Sequence, residues 1–151
     1  REVARMGRTS VELAHLCGLL HRIGRPVVVR WLAQIASSER GRLTAPERSH
    51  LIAEFEQRAG LALATNWALP EPVLTAIDKQ DDEAYDGEWR LQLRQVRLAE
   101  ILAARMLEQT LDAAGGERLA RALDMLNIYP DQFEALEART DAVQSALSAL
   151  T

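Results

Sequence analysis

Apolar residues recur every three or four positions along almost the whole chain, and the two-residue alternation of a half-buried strand is almost absent. A helix repeats about every 3.6 residues and a strand every two, so this pattern leaves little room for sheet. Ala, Leu, Arg and Glu, which enter helices at little cost, dominate, and only 5% of residues are aromatic. The expected fold is all-α, a compact bundle of about six to seven helices. With 151 residues, 48% of them hydrophobic, the chain can bury a sizeable core, and a single domain over 1–151 is expected.

A first helix is expected from a Thr9-Ser10 cap, with Glu12 in its first turn. It turns Val11, Ala14, Leu16, Cys17, Leu19 and Leu20 inward and ends at Gly24. Pro26 opens a second helix to about Ser38 that buries Val28, Trp31, Leu32 and Ile35, and a polar loop runs through Gly41. Thr44-Ala45-Pro46-Glu47 reads as a capping box with proline in the first turn. The helix it starts carries Leu51, Ile52 and Phe55 on its apolar face and continues past Ala59-Gly60 to Trp67. Leu69-Pro70-Glu71-Pro72 forces an extended corner before a short helix with Val73, Leu74, Ala76 and Ile77. The acidic stretch 78–88, with Gly87, reads as a solvated loop. From Trp89 to about Thr110, Leu93, Val96, Leu98, Ile101, Leu102, Ala103 and Met106 predict a long helix with a wide apolar face, ended by Gly115-Gly116. A short helix with Leu119, Ala122, Leu123 and Leu126 stops at Asn127. The terminal helix, 130–151, starts at Pro130 and reaches about Leu150. Its Ala135, Leu136, Ala142, Val143, Ala146, Leu147 and Leu150 suit packing on the domain or on a second copy.

Eighteen basic residues against twenty-two acidic ones give a net charge of -4, so no general field draws in nucleic acid. Basic residues gather only at Arg1, Arg5 and Arg8 and in the trio Arg22, Arg25 and Arg30, with no interleaved aromatics to stack bases. One cysteine, Cys17, lies in an apolar run; it forms no CxxC framework, suits a reducing compartment and reads as a small buried hydrophobe. The longest apolar stretches, such as Val27 to Val29 with Trp31 and Leu32, fall far short of the roughly 20 residues of a membrane span. No signal peptide or anchor is recognisable, and the expected location is cytoplasmic. The chain opens at Arg1 without an initiator methionine and reads as a fragment of something longer. It shows no Gly-rich phosphate loop, no Gly-x-Ser-x-Gly elbow and no Cys/His pair with a third orienting group. Asp81-Asp82 sits in the solvated loop, where nothing would tune a carboxyl for acid-base work.

The sharpest local signal is His15-Leu16-Cys17-Gly18-Leu19-Leu20-His21-Arg22-Ile23-Gly24, which resembles the Gly-Leu-Leu-His-Asp-Ile-Gly signature of HD-type domains. Gly60 to Val73 is similar to the run of glycine, apolar helix, tryptophan and Leu-Pro that follows in HDOD (HD-related output domain) proteins, with a capped helix between the two. The resemblance covers approximately Val3 to Leu126, so 1–151 would be the carboxy-terminal part of the family's domain, without its amino-terminal helical half. It implies an HD-domain-like helical module of bacterial signalling proteins, with no settled enzymatic activity.

The departures from the signature bear on mechanism. A hydrolytic HD site needs imidazole and carboxylate together, because hard divalent metals take oxygen donors alongside nitrogen and must polarise a bound water. His21 matches the signature histidine, but Arg22 stands where the aspartate is expected, Glu56 where metal-binding relatives carry a second histidine, and Lys79, Gln80 and Asp81 where histidines often end the later helix. Only His21 survives of that set. Alone, it reads better as a hydrogen-bonded residue near a helix C-terminus than as a ligand. His15, six residues earlier, projects from another side of the helix. His50 and Glu54, four apart, read as an ordinary surface contact. Arg22, Arg25 and Arg30 suit an anion cradle, although pairing to Glu54, Glu56 or solvent is the commoner fate of such arginines. Trp31, Trp67 and Trp89 read as packing anchors.

These readings predict a non-catalytic regulatory output module that acts through protein contacts in bacterial signalling. No catalytic residue, metal ligand or cofactor is assigned. The expected partner is a protein of a signalling pathway, a homodimer is left open, and neither nucleic acid nor membrane is expected. Two alternatives stand beside it. One is a metal-dependent HD-type phosphohydrolase acting on a nucleotide or cyclic dinucleotide, which needs ligands from the absent half. The other is a sensor of a small anionic ligand held by Arg22 and Arg25.

Overall fold

The structure, a computed structural model, describes residues 1–6, 10–37, 43–106 and 113–148. Arg8, Thr9 of the expected first cap, Ser38, Gly41 of the expected loop, Thr110 and Leu150 lie outside the described residues, as do the side chains of Ala146 and Leu147. Among the described residues the regular structure is all helix. The order is α1 (Glu2–Met6), α2 (Val11–Leu20), α3 (Gly24–Ser37), α4 (Ala45–Asn66), α5 (Glu71–Asp78), α6 (Arg90–Met106), α7 (Ala113–Met125) and α8 (Pro130–Ser148). Seven of these are the helices the periodicity predicts, and the five-residue α1 is additional.

The chain gathers into two compact units. One comprises 1–18 with 86–151, the other 19–85. In the first, α1, α7 and α8 each pack on α6. Val3, Leu98, Leu102 and Leu136 form its buried centre, ringed by Leu119, Ala122, Leu123, Leu126, Ile128 and Phe133. Burial removes this apolar surface from water and supplies the driving force for the unit. Arg105 pairs with Glu137 at 2.7 Å and Arg139 with Glu2, tying α8 to α6 and α1 at the rim.

In the second unit α4 is the central helix, with α3 and α5 packed on it. Its start is set as the sequence predicts. The backbone N–H of Glu47 donates to Thr44 Oγ1 at 3.4 Å, and the Thr44 N–H donates to Glu47 Oε2 at 2.8 Å, completing the box. Its end is set by Ala68, which adopts a left-handed φ of 50°. The N–H of Ala68 donates to the Thr65 carbonyl and that of Leu69 to the Ala64 carbonyl, each at 3.0 Å, the paired bonds of a Schellman stop. Pro70 then caps α5 in extended geometry, with Pro72 in its first turn. The same device recurs in the other unit. Asn127 has φ 51°, its N–H donates to the Asp124 carbonyl and that of Ile128 to the Leu123 carbonyl, and Pro130 restarts the chain as α8.

Several expectations about boundaries and burial are corrected. The first helix ends at Leu20 instead of Gly24, because residues 21–23 form a turn in which the Ile23 N–H reaches back to the Leu20 carbonyl at 3.0 Å. Gly24 opens α3 rather than capping α2. Gly115-Gly116 lies inside α7, where Gly115 is buried, so tertiary packing overrides the weak helical preference of glycine. Leu19, Trp31 and Ile35, expected inside, are 64%, 61% and 53% exposed. On α3 the reason is geometric. The helix is buried along Gly24, Val28 and Leu32, a line of four-residue spacing, and the neighbouring line through Trp31 and Ile35 is left uncovered. Ala103 on α6 is likewise exposed, and the expected face of α4 at Leu51, Ile52 and Phe55 is half-buried.

Candidate functional site

The second unit converges at the crossing of α3 and α4, and glycine makes that crossing possible. A Cβ added at Gly24 would lie 1.8 Å from the Glu56 carbonyl oxygen and 2.5 Å from the Gly60 nitrogen, so any side chain there collides with α4 backbone. Gly60 continues the contact: a Cβ on it would stand 3.0 Å from Ile77 Cγ2 and 3.3 Å from the Gly24 nitrogen. α3, α4 and α5 therefore meet at one point, and the turn before α3 is pressed onto α4.

That close approach carries Arg22 to Glu56. The guanidinium donates from Nη1 to Glu56 Oε1 at 2.7 Å, joining residues 34 positions apart. The Glu56 side chain is 8% exposed and that of Arg22 33%. A second carboxylate, Asp81, stands 3.8 Å from Nη2 of the same guanidinium and is itself 77% exposed. Gln57, beside Glu56 on α4, donates from its amide to the carbonyl of Asp78 at the end of α5, and Lys79 pairs with the Asp78 carboxylate at 2.9 Å. The Asp78 carboxylate and its side-chain hydrogen bond hold the Lys79 ammonium above its ordinary range. The turn before α3, the middle of α4 and the segment after α5 are thus tied by polar contacts around Arg22.

Two buried acceptors in this unit, Glu56 Oε2 and Gln80 Oε1, have no hydrogen-bond partner among the described residues. Since only one oxygen of Glu56 meets the guanidinium, the buried carboxylate depends on Arg22 for its compensation.

The other residues singled out from the sequence fall in different places. His21 is half-buried in the turn next to Arg22. Arg25, the companion of Arg22 in the expected anion cradle, is exposed in the first turn of α3, as is Arg30 further along it. Arg22 faces two carboxylates, which is the ordinary pairing weighed against the cradle. His50 Nε2 lies 3.8 Å from Glu54 Oε2, both well exposed, the surface contact their spacing suggested. Cys17 is fully buried in the other unit, and desolvation pushes its thiol up to about 11, which leaves it a poor nucleophile. Trp31 and Trp67 are more than half exposed, at 61% and 54%, and do not act as buried anchors. Gln57 and the Arg22–Asp81 approach were not singled out from the sequence, where Gln80 and Asp81 stood out only as replacements for histidines.

The donor chemistry here does not fit a divalent metal. Such an ion takes several oxygen and nitrogen ligands at once, and among the described residues no group of three or more His, Cys, Asp or Glu side chains is arranged to hold one. Glu56, the buried carboxylate, already faces a fixed cation at 2.7 Å, which an entering metal would have to displace. Also among the described residues, no helix is long and apolar enough to cross a membrane.

Comparison with known proteins gives one result. The family model described as HDOD domain matches residues 1–83, more than half of the chain. No curated protein and no solved structure matches. The match includes the signature turn, the α3/α4 crossing and Asp81, and it stops well short of Leu126, to which the resemblance was expected to run.

Proposed function

The chain belongs to the HDOD family, and from that premise we propose that it is a non-catalytic regulatory output module, working in the bacterial cytoplasm through contacts with a signalling protein. The observation that carries this reading is the Arg22–Glu56 pair. At the position following the signature histidine, where a hydrolytic relative needs a carboxylate for its metal, the chain places a guanidinium 2.7 Å from a buried carboxylate. Charge of that sign opposes a second cation, and His21 by itself supplies one nitrogen donor. Removing the metal removes the means of polarising a water against a phosphodiester. What is left is a helical scaffold whose exposed surfaces carry the signal.

The test is metal content and hydrolysis together. Protein purified without chelator or affinity-tag nickel is expected to contain no stoichiometric iron, manganese or zinc by mass spectrometry, and to leave linear and cyclic phosphodiesters intact when those metals are supplied. Stoichiometric metal with turnover would overturn the proposal in favour of a phosphohydrolase.

A further inference from the structure

The stretch 79–82, which follows α5, is weakly fastened for one that carries a buried side chain. Gln80 is only 9% exposed, yet its Oε1 has no hydrogen-bond partner among the described residues. Keeping an acceptor from water without giving it a donor raises the free energy of this closed position. The backbone hydrogen bonds of the stretch run within it or back to α5. Lys79 donates to the Thr75 carbonyl, Asp82 to the Lys79 carbonyl and Tyr85 to the Asp82 carbonyl, so none of these has to break for 79–82 to leave α4. Its base is held separately, since the Gln57 amide donates to the carbonyl of Asp78, the last residue of α5.

Arg22 holds two carboxylates of opposite character. Glu56 lies at 2.7 Å with its side chain 8% exposed, whereas Asp81 lies at 3.8 Å with its side chain 77% exposed. An ion pair as open to solvent as the second contributes little, so it is the contact that gives way first. We propose that 79–82 is a strap, hinged at Asp78 and clasped at Arg22, that opens while α3, α4 and α5 stay packed. Opening gives Gln80 Oε1 to water and parts Asp81 from the guanidinium, while Arg22 keeps Glu56. Local openings of this kind lie well below global unfolding in free energy. The unit then has two forms that differ at Arg22, and a partner that binds one of them better shifts the balance between them. That use of the strap rests on the output-module reading; the opening itself does not.

Thiol labelling tests the proposal. In the full chain with its single cysteine removed (Cys17→Ala), Gln80→Cys puts a thiol in the strap and Ala76→Cys puts one on α5, at a position 2% exposed. Each is reacted with an aromatic disulfide reagent in increasing urea below the unfolding transition. Gln80→Cys is expected to react at least about tenfold faster than Ala76→Cys, at a rate almost independent of urea, because a local opening exposes little surface. Adding Asp81→Arg, which turns the clasp into a repulsion, should speed the reaction of Gln80→Cys by about threefold and leave that of Ala76→Cys unchanged. Gln80→Leu, which removes the orphan acceptor, should raise the denaturation midpoint. Reaction of Gln80→Cys that follows the urea slope of global unfolding overturns the proposal, as does a rate that Asp81→Arg does not change. A lowered midpoint for Gln80→Leu overturns it too. Circular dichroism checks that each variant is folded, and if Ala76→Cys is not, the urea slope and the effect of Asp81→Arg on Gln80→Cys decide. None of these results bears on metal content or hydrolysis, on which the output-module reading is judged.

Discussion

At the scale of single residues, the Arg22–Glu56 contact couples stability to the site. Arg22→Ala leaves a carboxylate buried with one oxygen newly unpaired and the other already without a partner, at a cost of about 2 kcal/mol, a figure lowered because Arg22 is itself one-third exposed. Asp81→Ala removes a looser, exposed contact and should cost about 0.5 kcal/mol or less. Denaturant unfolding of these variants and of Glu56→Gln, combined as a double-mutant cycle, measures both. The two glycines of the signature should separate as sharply. Gly24→Ala drives a methyl into the α4 backbone and should lose about 3 kcal/mol or more, or fail to fold. Gly18→Ala meets nothing within 4 Å in the body of α2 and should gain about 0.5–1 kcal/mol. Thermal melts of the pair read the contrast. How much of this was legible follows from where the information lies. The resemblance singled out His21, Arg22 and Glu56, and pairing to Glu54, Glu56 or solvent was weighed for Arg22, Arg25 and Arg30 together; that Arg22 is the one to meet Glu56, 34 positions away, needs the backbone approach that Gly24 allows, which no local pattern records.

At the scale of elements, start signals were easier to read than stop signals. Thr44 to Glu47 and Pro70 act within a few residues of themselves, and the helices begin where those residues predict. Stops depend on a left-handed residue. Asn127 is a residue type that tolerates this conformation and marked its stop, whereas Ala68 gives no such sign and pays for its φ of 50°. Ala68→Gly should therefore stabilise the protein by about 1 kcal/mol, measured as an increased denaturation midpoint with an unchanged denaturant slope. The box at the start of α4 adds a pH dependence. Hydrogen bonds from Thr44, its backbone N–H first, hold the Glu47 carboxyl below its ordinary range. A depressed folded-state value means stability present above the unfolded carboxylate value and lost as pH falls through the folded one. Glu47→Gln should thus lower the melting temperature at neutral pH, with the difference from the unaltered protein disappearing on acidification below that folded value. A difference that persists in acid would show that the charge of Glu47 contributes nothing.

At the scale of the whole molecule, the division into two compact units was not legible, because an apolar stripe reports that a helix is buried and not which neighbour buries it. The family match ends at residue 83, close to the boundary at Tyr85. If the units melt separately, Trp31 and Trp67 in one and Trp89 in the other should report different midpoints in single-tryptophan variants; coincident midpoints would establish one cooperative domain. The contact around Arg22 has a consequence on this scale too. A bound ion can be stripped, exchanged or withheld, so a site built on one has a loaded and an unloaded form. A guanidinium is synthesised with the polypeptide and travels with it. The turn before α3 and the middle of α4 are therefore joined at Arg22 without any bound ion. On the proposed reading, a signal that is to alter this unit has to arrive through something that touches its surface.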